Sequence, residues 1–141
     1  MAAAFQSAQE FREVMDRVFE MMSEDADMGP RLRDADVPQR FEFDDLDMVV
    51  NIRASRAGEP GNLHWRWSDD IDWEPSVLMG MSSETANRYF QGRENIVTAL
   101  ARRRIRSRGD VKAALALMPI VKPVHARYRD LVAGEYPHLL V

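Results

Sequence analysis

The chain has 141 residues, 45% of them hydrophobic and 30% charged, with a formal net charge of -4, nine methionines and no cysteine. That length fits one domain, which buries about two-thirds of the surface its unfolded chain exposes, and the composition gives no sign of disorder. The missing cysteines exclude disulfides, thiolate nucleophiles and cysteine-based zinc sites, the acidic balance argues against nucleic acid as partner of the whole surface, and no apolar run approaches the ~20 residues that span a bilayer.

The segment MAAAFQSAQEF has no basic stretch followed by an apolar core, so a secretory signal is not expected and a cytoplasmic location is. From about Ser7 to Met22, Phe11, Val14, Met15, Val18, Phe19 and Met22 recur at three- and four-residue spacing, while Glu10, Arg12, Glu13, Asp16, Arg17 and Glu20 fall on the remaining face. This pattern predicts an amphipathic helix laid on a sheet. Ser23 to Pro38 reads as a charged, irregular connection broken at Gly29-Pro30 and Val37-Pro38.

Arg40 to Asp44 alternates as a short strand with Phe41 and Phe43 on one side, and Asp44-Asp45 offers a turn. A second strand places Leu46, Met48, Val50, Ile52 and Ala54 on a buried face and Asp47, Val49, Asn51 and Arg53 on a wet one. Arg56 to Asn62 is a hairpin loop, and Leu63, Trp65 and Trp67 form the apolar side of a third strand. Ser68 to Glu74 is an acidic loop carrying Trp73.

From Pro75 to Leu117 the order is a strand (Val77 to Met81), a helix opened by Ser82 and closed at Gly92, a short helix (Ile96 to Ala101), an arginine-rich strand (Arg103 to Arg108), and a Gly109-Asp110 corner starting a third helix. Ala86, Tyr89 and Phe90 share one face of the first of these helices. Breaks at Met118-Pro119 and Pro123 precede a helix-like piece, Val124 to Ala133, closed by Gly134. The apolar end PHLLV is expected to pack, to line or plug a cavity, or to dock on a second subunit. Five strands and about five helices predict an α+β domain over residues 1–141, with a largely antiparallel sheet covered by helices on one face.

The Pro75 to Leu117 order resembles the sterol carrier protein type 2 family, in Ser82, Gly92, Ala99, Leu100, the alternation Arg104-Ile105-Arg106-Ser107-Arg108, Gly109, and Ala113 to Leu117. The resemblance extends over residues 37–118. It implies a sterol-carrier-like fold whose apolar cavity lies between sheet and helices, and the binding or transfer of a hydrophobic ligand such as a fatty acid, acyl-CoA or sterol. Departures are Arg103 where the family commonly has glycine, Ser107 where it has an aliphatic inward residue, and Leu78 and Gly80 in place of polar outward ones.

On that resemblance the ligand-binding residues are Phe43, Met48, Val50, Ile52, Trp65, Trp67, Met79, Met81 and Ile105 from the sheet, where Val77 also points inward. Phe90, Leu100, Leu117 and Met118, with Met15 and Phe19 of the first helix, would form the helical wall. The adaptable thioethers of methionine suit irregular apolar guests. Arg103, by parity on the Ile105 and Ser107 side, is expected either to meet a ligand oxygen at the cavity mouth with Ser107 as second polar contact, or to turn to solvent. Arg104, Arg106 and Arg108 point to the opposite face, as a solvated edge strand, a contact for anionic lipid headgroups or a partner, or, least in keeping with the absence of interleaved aromatics, a nucleic-acid surface.

No catalytic residue, metal ligand or cofactor is expected. His64, His125 and His138 lack metal-ligand spacing, no nucleophile elbow or phosphate-binding glycine pattern is present, and Asp69, Asp70, Asp72 and Glu74 match no Ca²⁺ loop. The expected partners are a lipid or sterol-like small molecule, with transient contact to a membrane or a lipid-metabolising enzyme, and the state monomer or homodimer. Two alternatives stand beside the carrier: a non-catalytic accessory or dimerisation module with a vestigial cavity, and an enzyme acting on a hydrophobic substrate in the same pocket.

Overall fold

A computed structural model describes residues 4–141. Helix α1 (Ala8–Glu24) starts where Ser7 Oγ accepts the Glu10 amide at 3.0 Å and buries Phe11, Val14, Met15, Val18, Phe19 and Met22, the predicted stripe. The connection that follows is not irregular, because it folds into α2 (Met28–Ala35) and buries Met28 and Leu32. Two local features permit it. Pro30 falls in the first turn, where a missing N–H costs nothing, and Asp25 Oδ1 accepts the amides of Asp27 and Met28 at 3.1 and 2.8 Å. Those amides hold the Asp25 carboxyl below its ordinary range. Gly29 is required for packing, since a Cβ there would lie 2.5 Å from the Ser23 carbonyl and the Asn62 side chain.

The strands are β1 (Gln39–Phe43), β2 (Met48–Ala54), β3 (Leu63–Arg66), β4 (Val77–Met81) and β5 (Ile105–Gly109). They form one sheet in the order β3-β2-β1-β4-β5, antiparallel throughout except for the central pair β1 and β4. The sheet is therefore mixed. The register sets Phe41 beside Val50 and Met79, Phe43 beside Met48 and Met81, Ile52 beside Trp65, and Met79 beside Ser107. One inward apolar face follows from that alignment.

After β4 come α3 (Ser83–Phe90), α4 (Ile96–Ala101), and, beyond β5, α5 (Val111–Ala116), α6 (Met118–Val121), α7 (Val124–Glu135) and a 3-10 turn (Pro137–Leu139). Ser82, Asn95 and Asp110 cap α3, α4 and α5 by accepting the amides of Thr85, Thr98 and Ala113. Gly92 takes φ +75° after α3, the left-handed conformation expected of it.

Two sequence readings of side-chain orientation are corrected. Asp16 is not on a solvent face: its Oδ1 accepts both indole N–H groups of Trp65 and Trp67, at 3.0 and 2.7 Å. The far face of β2 is not wet either. Asn51 and Arg53 are buried beneath the 68–76 loop, where Asn51 Nδ2 donates to the Ser68 carbonyl at 2.8 Å. Arg53 stacks 4.7 Å from the Trp73 ring and pairs with both oxygens of Glu59, which holds the Glu59 carboxyl down to about 2.

Of the apolar end PHLLV only Leu139 packs inside, while Leu140 and Val141 stay 48% and 37% exposed. Leu139 is fully buried, and its carbonyl accepts from Asn87 Nδ2 at 2.9 Å and Gln91 Nε2 at 2.7 Å. Asn87 Oδ1 accepts in turn from the Tyr128 hydroxyl at 2.7 Å and from Gln91 Nε2 at 3.0 Å. Every member of this network is shielded from water, so each bond replaces a desolvation cost.

Replacing Asp16 with alanine removes the shared acceptor of two half-buried indoles and is expected to cost about 1–3 kcal/mol. Urea unfolding followed by tryptophan fluorescence measures it, with Asp16→Asn, which keeps a carbonyl oxygen, losing less. A variant Asp16→Ala as stable as the parent contradicts the assignment.

Candidate functional site: an apolar cavity between sheet and helices

The inward face is divided. On the α1 side it is solid: Phe11 packs edge-on to Phe43 with ring centroids 4.6 Å apart and to Trp67 at 6.1 Å, and Phe19 meets Trp65 at 5.6 Å. Toward α2, α3, α5 and α6 an apolar cavity of about 90 Å³ remains. Its floor is Gln39, Phe41 and Phe43 of β1, Ile52 and Ala54 of β2, Leu63 of β3, and Met79 and Met81 of β4. Helices α1 and α2 contribute Phe19, Met22 and Leu32, and α3 contributes Ala86, Tyr89 and Phe90. Ile96, Ala114, Leu115, Met118 and Val121 complete the cover with Leu117 between α5 and α6.

Of the residues expected from sequence, Phe43, Ile52, Met79, Met81, Phe90, Leu117 and Met118 meet at this cavity, as does Phe19. Trp65 and Trp67 are tied to Asp16 and packed against α1 instead. Met15, Val50 and Ile105 are buried away from the cavity lining, and Met48, Leu100 and Ser107 are half-buried outside it. Arg103 precedes β5 in an exposed corner at φ +60° and does not reach the cavity. The left-handed backbone explains why glycine suits that position.

Sequence reading missed Leu32 because it missed α2. It passed over Phe41, Ala86 and Tyr89, although Phe41 had been placed beside Phe43 and the other two on the face of Phe90. That shared-face signal was sufficient to find them. Gln39 lay at the very start of β1, and Ala114 and Leu115 inside α5, a helix of six residues too short for period to give much guidance.

The polar groups at the cavity are few. Tyr89 lies in its wall, and burial pushes its phenol up to about 12. Gln39 is half-buried at the start of β1, and Arg53 borders the cavity while its guanidinium turns to Glu59 and Trp73. The three histidines are dispersed: His64 beside Trp73, His125 edge-on to Tyr89, and His138 Nε2 at 2.8 Å from Glu10 Oε1. Burial, reinforced by Arg129 and Lys122, lowers the His125 pKa. Among the described residues no three His, Asp or Glu side chains are placed to hold a metal ion. A separate polar groove lies outside α3 and α4, lined by Ser82, Thr85, Asn95 and Thr98 with Arg88, Arg93 and Arg104.

A five-stranded mixed sheet with helices laid over one face is the fold shared with solved sterol carrier protein 2 domains. Solved structures give the comparison in detail. The UbiJ-SCP2 ubiquinone synthesis protein superposes with a TM-score of 0.61 at 7% identity, over 81% of this chain and 94% of that one. Apo sterol carrier protein 2 from Yarrowia lipolytica gives 0.54 at 11% identity, over 89% and 98%. The inverting sec-alkylsulfatase Pisa1 from Pseudomonas sp. gives 0.61 at 16% identity over 75% of this chain, which spans 16% of the sulfatase's length. No family model and no curated protein matches the sequence.

Tyr89 supplies a test of burial in this wall. Its proton is held more tightly folded than unfolded, so its contribution to stability is complete below pH 10.0, the free phenol value, and is lost as pH rises through the folded value of about 12. Burial also raises Tyr128, the second of three tyrosines. Ultraviolet titration is expected to show these two ionising only above the ordinary phenol range, together with loss of stability. All three ionising together near pH 10.0 in a folded protein contradicts the burial.

Proposed function

We propose that the chain binds, and carries or presents, a hydrophobic small molecule in this cavity. The observation that supports the reading best is the apolar hollow between two well-formed layers, where a folded chain of this size ordinarily packs to solid density. The driving force is removal of apolar surface from water, about 0.8 kcal/mol for each methylene buried. Gln39 and Tyr89 are the polar groups placed to orient a ligand oxygen.

At about 90 Å³ the cavity is smaller than the ~150 Å³ engineered cavity that takes up benzene, so a long-chain or ring-bearing ligand has to widen it. Helix α5 is the element suited to yield, because none of its residues is fully buried. Moving it outward opens the hollow along Ala114 and Leu115 at little cost in buried surface.

The accessory-module reading is favoured by two observations, the small cavity volume and the alignment with 16% of the sulfatase chain. In that case the fold would serve a larger assembly or a longer polypeptide without loading a ligand. Native mass spectrometry separates the two.

The protein incubated with oleic acid and then passed through a desalting column is expected to retain the acid in native mass spectra, and Ala114→Trp, which fills the mouth from a half-buried position, to retain at least about tenfold less. Retention unchanged in Ala114→Trp, or absent in the parent, contradicts the cavity as a ligand site.

A further inference from the structure

Helix α4 has two unlike sides. Ile96 lines the cavity, whereas Val97, next in sequence, is 64% exposed, more than any other large hydrophobic side chain among the described residues. Arginines flank α4 in sequence and line the groove beside it. Arg93 precedes α4, Arg102, Arg103 and Arg104 follow it, Arg88 stands across the polar groove, and Arg106 and Arg108 continue along the outer face of β5.

Within the groove the acids are Asp44, Glu84 and Glu94, facing Arg88, Arg93 and Arg104. Glu94, with a side chain only 4% exposed, is engaged by Arg104 at 2.6 Å and Arg88 at 3.5 Å, and Asp44 pairs with Arg106 at 2.6 Å. The groove itself is therefore balanced, and the positive excess lies beside it, in Arg102 and Arg103, within a chain whose net charge is -4. Arg93, Arg102, Arg103 and Arg108 have no ion-pair partner among the described residues. Arg103 is exposed in the α4–β5 corner, at φ +60°.

We infer that Val97 with Arg93, Arg102 and Arg103 forms a docking face for an anionic lipid bilayer. Guanidinium groups take phosphate oxygens in forked hydrogen bonds, and juxtamembrane basic residues gain from the negative surface potential. Val97 protrudes and lines neither the cavity nor the groove, so it is shaped to enter a headgroup layer rather than to grip an extended acidic chain. Because α4 also walls the cavity through Ile96, docking there sets the ligand site against its lipid source. That coupling rests on the lipid-binding reading above; the docking itself does not.

Full-length protein floated with vesicles of phosphatidylcholine alone, and with vesicles of an equal mixture of phosphatidylcholine and phosphatidylglycerol, tests the inference. Binding is expected on the anionic vesicles only and is expected to fall steeply with added salt. Neutralising an arginine should weaken it roughly fivefold, so the charge-reversing double variant Arg93→Glu/Arg102→Glu should lose well over tenfold. Val97→Ser should weaken it with the salt dependence unchanged. These side chains are exposed, so melting temperatures equal to the parent's confirm folding. Equal binding to both vesicle types, no loss in the double variant, or retention on polyglutamate without vesicle binding overturns the docking face. Oleate retention measured on the same samples keeps the readings apart, since its loss with vesicle binding intact removes the cavity reading alone.

Discussion

A single carboxylate oxygen organises the interior. Asp16 on α1 accepts the indole N–H of both Trp65 and Trp67, which lie on the inward side of edge strand β3 and the residue following it, and so fixes the long helix across one end of the sheet. With α1 anchored, its aromatic residues fill that half: Phe11 and Phe19 wedge between the tryptophans and Phe43. The C-terminal end of the same helix is tied to the start of β3, where Ser23 Oγ accepts the amides of Asn62 and Leu63 at 2.9 and 3.0 Å. The helix layer is thereby held at a set distance from the sheet, and what short side chains such as Ala86 and Ala114 leave unfilled elsewhere becomes the cavity.

The opposite half of the cover is pinned differently. Asn87 and Gln91 of α3 and its cap join Tyr128 of α7 and the Leu139 carbonyl in one dry network. Between these two anchored regions lie α5 and α6, with Leu117 and Val121 buried and little else. A rigid frame with one lightly held segment is the arrangement that allows a hollow to widen for a guest without loss of the fold. Polar bonds at the margins thus determine where an apolar space persists.

Much of this was legible in the sequence. Period two and local signals fixed β4 and α3 nearly to the residue, because Ser82 and Gly92 act locally, and the uninterrupted run Ile96 to Ala101 marked α4. Helix α2 was hidden by Gly29-Pro30, which normally break a helix and here occupy its first turn. Asp16 read as solvent-facing because helical period assigns a face but says nothing of an indole reaching in from another strand. The burial of Arg53 depended on a loop folding back with Trp73, a long-range event with no local signature. The parallel pairing of β1 with β4 likewise follows from tertiary packing and not from either strand's own pattern. For the cavity, sequence identified the inward face but not which half of it α1 would fill.

The nine methionines offer the most direct measurement of where a guest would sit. Met22, Met79, Met81 and Met118 line the cavity, whereas Met15 and Met28 are buried outside it. In methyl NMR spectra recorded as oleate is added, the four lining methyl groups should shift or broaden while Met15 and Met28 stay in place. Resonances that move equally at Met15 and Met28, or fail to move at the four, would contradict a ligand site between the sheet and α5–α6.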